Sequence, residues 1–359
     1  MITQQHSVYL DLFRFVAAVF VFAAHATVYS GGQLWSLGQF GHEAVVLFFV
    51  LSGFVISLVV LDKKESAFFY ATNRFTRIYS TAIPSLILTA VIFYFGIIAD
   101  ENMFSAFDDN NANPLWIVFS SVVFINQSWI ATPVFINLPY WSLGYEVLYY
   151  VFFGVAVYSK GYARIILLAS VLLVMGPSVA LYLPLWLLGV VCFIALKKYE
   201  CSFVFSFVLF LLSIIGCVVF SIGFVQDFIN YKAKVFFGFE FYSYLLNPAD
   251  RFASDYALSV FVAMNIFSAS GVTKKLSIFS GVCIKYIKWL ASHTFSIYLY
   301  HYPILVAFSY IFKSKESPFL NFIACWPVTF MLVVMLSVYT ESKKYSYKLF
   351  FCRMASRLR

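Results

Sequence analysis

The residues best placed to do chemistry sit inside apolar runs. Arg14 and His25 are eleven positions apart in the apolar segment 8–29. As a helix this segment puts both on one face, about 16 Å apart along the axis. A charge in hydrocarbon costs about 2.5–3.5 kcal/mol even on the most lenient insertion scale, so ionisable groups here need a partner or a use. Asp11, three residues before Arg14, shares its face and can pair with it. A neutral imidazole in a partly dry cavity can take a proton from a hydroxyl. His25 is therefore a candidate general base for an alcohol attacking an activated acyl carbon. The plain alternative is a histidine hydrogen-bonded to a neighbouring helix.

Arg74 and Arg77 form an Arg-x-x-Arg pair before the third apolar run. On one helical turn they can grip a single polyanion, because guanidinium forks bind phosphate bidentately; they can also be plain topological anchors. Ser142 and Glu146 are four apart and share a face of the fourth run, where an intramembrane carboxylate is functional unless it merely pairs with Arg14. His301 stands two residues before Pro303, which kinks or ends a helix, and is read as structural more than chemical. Glu341, beside Lys343 and Lys344, reads as an interfacial charge. His42 and Glu43, at the mouth of the second run, are placed where they could approach His25.

The elements that must position these groups are membrane helices. Of the 359 residues 62% are apolar and 11% charged, where soluble domains run near ~45–50% and ~25%. Spanning segments are expected at 8–29, 43–61, 78–98, 139–158, 165–182, 183–196, 203–224, 255–270, 289–312 and 319–340, which makes an all-α integral membrane protein of about ten helices. Segment 115–131 is apolar enough to be an eleventh, but counting it would put Lys160 and Arg164 opposite the other basic loops of the first half. With ten spans, 18 Lys and Arg fall on one side and 5 on the other, so both termini are expected in the cytoplasm. The first span is not read as a cleaved leader, since no Lys or Arg precedes it. The net charge of +8 is explained by this asymmetry, and no nucleic-acid partner is expected. The six cysteines are scattered, with no spacing suited to a metal. Two long outside stretches, 99–138 and 225–254, are the natural places to meet a polar substrate.

Taken together, these residues make the chain resemble the membrane-bound acyltransferase 3 family over nearly its whole length. The matching pieces occur in family order: Tyr9-Leu10-Asp11-Leu12-Phe13-Arg14-Phe15 followed after ten residues by His25, Leu47-Phe48-Phe49-Val50-Leu51-Ser52-Gly53-Phe54, Arg74-x-x-Arg77, Trp141-Ser142-Leu143-x-x-Glu146, Ser296-Ile297-Tyr298-Leu299-Tyr300-His301-Tyr302-Pro303, and Glu341. The resemblance implies ten core helices and transfer of an acyl group, acetyl from acetyl-CoA, to a hydroxyl of a carbohydrate or related acceptor. It also implies that His25 activates the acceptor hydroxyl, that Arg14 supports the site and that Arg74 and Arg77 hold the phosphates of CoA. The chain departs from the pattern at Val46, where members often carry a polar or acidic residue, so that role is lost or moved, with Glu43 the substitute. Many members add an extracytoplasmic hydrolase-like domain; ending at Arg359, this chain is expected to work alone or with a partner.

The expectation is thus a bacterial inner-membrane O-acyltransferase, with residues 1–342 as its transmembrane domain and 343–359 as a basic cytoplasmic tail. Its acceptor would be a glycan or lipid-linked saccharide, such as a lipopolysaccharide O-antigen, and membrane lipids its surroundings. Glu146 joins Arg14 and His25 as catalytic, while Asp11, Ser142, Glu43 and His301 support the substrate or the site. Whether His25 acts as base or carries the acyl group is open. The rival reading is a transporter or flippase of a lipid-linked saccharide, with His25, Arg14 and Glu146 as a relay.

Overall fold

Long apolar runs leave a backbone away from water one local way to satisfy its own hydrogen bonds, the helix. The computed structural model is accordingly helical; it describes residues 2–30, 38–104, 107, 112–221, 224–240, 242, 249–313 and 318–349, and no strand occurs among them. The main helices are α1 (Gln4–Tyr29), α2 (Gly41–Ser57, continued by a π turn at Leu58–Asp62), α3 (Ala67–Ala99), α4 (Pro114–Val122), α5 (Trp141–Tyr158), α6 (Gly161–Lys198), α7 (Phe203–Ser221), α8 (Phe224–Phe237), α9 (Phe252–Lys275), α10 (Gly281–Ala291), α11 (Thr294–Lys313) and α12 (Thr329–Tyr339). Residues 350–359 of the basic tail, with Asp108 and Asp109 of the first long loop, lie outside the described residues.

Among the described residues eight helical stretches are long and apolar enough to cross a membrane, and the surface fits that solvent. Ile98, Leu115, Phe224 and Phe236 are exposed while Ser85, Thr89, Asn126 and His301 are wholly buried. The two segments expected at 165–182 and 183–196 are present, but their boundary lies earlier: α6 is two helices joined across a kink at Gly176, with φ 71° and ψ 177°, followed by Pro177. Glycine reaches that conformation without strain, and proline withholds the N–H that would carry the helix through.

Segment 115–131 is no span. It forms only the nine-residue α4, about 14 Å long against a hydrocarbon thickness near 30 Å. Asn113 caps its start by accepting a hydrogen bond from Leu115 N. The chain then runs irregularly to Tyr140, packed on the middle of α3. Tyr79 Oη donates to Val122 O at 2.9 Å, and Asn137 meets Ser85 and Thr89.

The chain falls into two compact units, one of Met1–Ala17, His42–Glu65 and Ala169–Ala291, the other of Ala18–Gly41, Ser66–Leu168 and Ser292–Arg359. In the first, α2 and α6 touch backbone to backbone: a Cβ at Gly189 would come within 1.9 Å of Val50 O, and one at Gly53 within 2.0 Å of Trp186 O. Small residues of this kind let membrane helices pack closely where no hydrophobic effect drives them together. In the second unit α11 packs against α3 and α12. Pro303, inside α11, supplies no N–H to the Leu299 carbonyl four residues back. That carbonyl is satisfied from outside the helix, by Ser85 Oγ at 2.9 Å and Asn137 Nδ2 at 3.1 Å.

Candidate functional site

Most residues singled out in the sequence belong to the second unit, where they form four linked groups. The first is a pair of histidines. His25, on the last part of α1, places Nδ1 2.8 Å from Nε2 of His301 on α11. The rings lie 5.1 Å apart and 28° from parallel. His301 Nδ1 is 2.7 Å from the carbonyl oxygen of Ile297, one turn back. The Tyr302 ring stands edge-on to His25 at 4.8 Å, and its hydroxyl accepts a hydrogen bond from Tyr29 Oη at 2.9 Å. His301 is wholly buried, whereas His25 keeps part of its surface accessible. His301 thus lies within α11, two residues before Pro303, against the candidate base.

The second group lines a cleft of about 640 Å³ between α3 and α5, with Phe124 at the end of α4. Its walls are mostly aromatic and aliphatic, among them Tyr70, Phe75, Tyr79, Tyr150 and Tyr158, and among the described residues Arg74 is the cation that lines it. The Arg74 guanidinium carbon lies 5.7 Å from the centre of the Tyr150 ring. Its Nε is buried and makes no hydrogen bond among the described residues. Tyr150 Oη donates to Glu146, and Arg74, Arg77 and Glu146 all lie within electrostatic reach of that tyrosine. Along α3 the cleft runs from Ala67 to Tyr79, about 18 Å at 1.5 Å per residue. Phe124 holds a left-handed backbone, φ 61°, which a bulky residue keeps only when its surroundings demand it.

Ser142 and Tyr298 form the third group, their hydroxyls 2.6 Å apart, and Glu146 lies within electrostatic reach of Tyr298. Tyr298 and His301 are three residues apart on α11, hence on one face.

Glu341 makes the fourth. It is buried, and one carboxylate oxygen accepts hydrogen bonds from Ser296 N at 3.0 Å and Ser296 Oγ at 2.9 Å. The N–H of Ser296, in the first turn of α11, has no partner within its own helix, and a carboxylate there also suits the helix dipole. The reading of Glu341 as an interfacial charge is corrected on this ground. Arg77 lies within its electrostatic reach.

Four expected residues, Asp11, Arg14, His42 and Glu43, belong to the first unit. Arg14 Nη2 donates to Asp11 at 2.9 Å, as the three-residue spacing requires. Glu43 is held there by Arg251 Nη2 at 2.7 Å and Gln226 Nε2 at 3.1 Å. His42 donates to Asp255 at 2.7 Å, as does Tyr182 at 2.6 Å.

Sequence reasoning missed Tyr150, Tyr298 and Asn137. Tyr150 follows Glu146 by one helical turn and Tyr298 lies within a motif already singled out, so spacing could have found both. Asn137 sits in irregular chain, where no periodicity marks an inward-facing residue.

A family model described as an acyltransferase domain matches residues 7–341. The acyltransferase MdmB of Streptomyces mycarofaciens is 29% identical over 150 residues, 39% of this chain and 36% of the relative. An O-acetyl transferase of Shigella phage Sf6 is 30% identical over 195 residues, 49% of this chain and 56% of the relative. The chain thus spans between a third and somewhat over half of the length of these relatives. No solved structure matches it.

Proposed function

Because the chain belongs to the acyltransferase 3 family, we propose that it is a multi-pass O-acetyltransferase of a bacterial inner membrane, moving acetyl from cytoplasmic acetyl-CoA to a hydroxyl of a glycan or lipid-linked saccharide. The observation that carries this reading is the aromatic cleft holding Arg74, whose buried Nε has no hydrogen bond among the described residues. A pocket of 300–1,000 Å³ with apolar walls and a few placed polar groups is the usual form of a site for a small organic ligand. Arg74 and Arg77 suit the phosphates of the donor, and the aromatic walls suit its slender pantetheine arm. The excess of 18 Lys and Arg over 5 between the two sides favours a cytoplasmic start of α3 and so a cytoplasmic mouth for this cleft.

Chemistry then needs a base near the thioester. The acceptor hydroxyl oxygen attacks the acetyl carbonyl carbon while its proton passes to the imidazole of His25. The tetrahedral intermediate collapses with loss of the C–S bond. The thiolate takes the proton back, giving an acetyl ester and free CoA thiol and restoring neutral His25. Glu146 holds Tyr150 at the cleft, and Ser142 with Tyr298 lies between Glu146 and the turn that carries His301. Arg14, held by Asp11, completes the Arg-x10-His pair on α1.

The test is the acetyl content of host surface glycans, measured by mass spectrometry in cells expressing wild type, His25→Ala or Arg74→Ala at matched membrane levels. Acetylation present in wild type and lost in both variants supports base and donor grip together. Variants that acetylate like wild type overturn the site. A transporter of lipid-linked saccharide would work without acetyl-CoA and release no thiol.

A further inference from the structure

We infer that His301 is a positioning residue that fixes the tautomer of His25, leaving Nε2 of His25 as the nitrogen that accepts the proton. The inference rests on the reading of His25 as general base. A backbone carbonyl can only accept, so His301 Nδ1, 2.7 Å from Ile297 O, carries hydrogen and donates it. A neutral imidazole has one N–H, so His301 Nε2 presents a lone pair. His25 Nδ1, 2.8 Å away, must then donate. Neutral His25 is left with its lone pair on Nε2 and its hydrogen committed on the far side of the ring.

His301 is wholly buried. An imidazolium there would be desolvated without a counter-charge. The titratable groups seen to face His25 are His301 and Tyr302 from α11, with Tyr29 behind Tyr302. When His25 takes the proton, its Nδ1–H still donates into His301, so the imidazolium keeps one bond already formed and oriented. The anchor of this relay, Ile297, follows Ser296, which Glu341 holds through two hydrogen bonds. One line of contacts therefore leads from Glu341 to the base, and it uses two motifs that the sequence keeps far apart.

The test compares wild type with His301→Phe, His301→Gln and His25→Ala in membrane vesicles from the expressing host. Acetyl-labelled acetyl-CoA is supplied and label on the glycan fraction is followed against pH. Phe fills the space but offers no acceptor, whereas the Gln carbonyl oxygen can stand where Nε2 accepts. His301→Phe is expected to lose about 10–100-fold in kcat, by analogy with the loss when the partner that orients a metal-bound imidazole is removed, with KM for acetyl-CoA unchanged. The acid limb of its pH profile moves to lower pH, because the imidazolium of His25 has lost the His301 nitrogen as an acceptor and keeps only the Val21 carbonyl one turn back. His301→Gln recovers most of kcat and the wild-type limb. A His301→Phe enzyme with wild-type kcat and profile beside an inactive His25→Ala overturns this inference alone. So does an equal loss in both His301 variants with an unmoved acid limb, which marks a merely structural role. A His25→Ala enzyme as active as wild type removes the base itself, and the proposed chemistry with it.

Discussion

Arg74 lies over the face of Tyr150, its guanidinium carbon 5.7 Å from the ring centre, and the same tyrosine donates its hydroxyl proton to Glu146. Cation and carboxylate are thus organised around one aromatic ring at the wall of a cleft. A planar guanidinium can stack on the ring and still offer its edge to a phosphate, which an ammonium cannot. Arg74→Ala should raise KM for acetyl-CoA by about 10-fold or more, since losing one charge-assisted contact costs about 1.5–3 kcal/mol. Arg74→Lys should fall between the two. Steady-state kinetics in vesicles decides the matter, and an unchanged KM in Arg74→Ala would remove the donor from this cleft.

Glu341 should matter to the fold before it matters to chemistry. Truncating it to Ala leaves the Ser296 N–H and hydroxyl buried without their acceptor, at about 1–3 kcal/mol per group. Glu341→Ala should therefore lower the thermal transition of the detergent-solubilised protein by several degrees. Glu341→Gln, which keeps a carbonyl acceptor, should lose less. Equal stability of Ala and wild type would contradict the capping role.

Asn137 should prove structural despite its place in irregular chain. Its amide nitrogen reaches Ser85 Oγ, Thr89 Oγ1 and Leu299 O at 3.1–3.2 Å, and the last of these is the carbonyl that Pro303 leaves free. Asn137→Leu strands it in part and should cost about 1–3 kcal/mol. Size-exclusion yield and melting would show it, and a fully stable Asn137→Leu protein would mean that Ser85 satisfies the carbonyl alone.

Two glycines give a contrast within the first unit. Gly189→Ala drives a methyl into Val50 O at 1.9 Å, with backbone that cannot step aside, whereas a Cβ at Gly281 meets nothing within 4 Å. Overpacking of this kind costs about 1–3 kcal/mol and sometimes more. Gly189→Ala should cut the folded yield sharply while Gly281→Ala leaves it unchanged or improved, as read by fluorescence-detected size exclusion. Equal yields would argue against the close α2–α6 packing.

What the sequence alone determined is whatever depends on neighbours along the chain. Apolar runs too long for a soluble core read as membrane helices, since no other local structure satisfies a backbone in lipid. The Asp11–Arg14 pair and the shared face of Ser142 and Glu146 follow from the helical repeat, and ordered motifs were enough to place the chain in its family. Tertiary structure decided the rest. His25 meets His301 across 276 positions, Ser296 meets Glu341 across 45, and Glu43 is taken up by Arg251 across 208. No periodicity encodes such meetings, because which faces of two helices touch is set by small residues, breaks and buried polar bonds scattered through the whole chain. The break of α6 at Gly176 shows the same limit at short range. Pro177 and Pro184 both lie inside that apolar run, and only the folded backbone shows which end of it gives way.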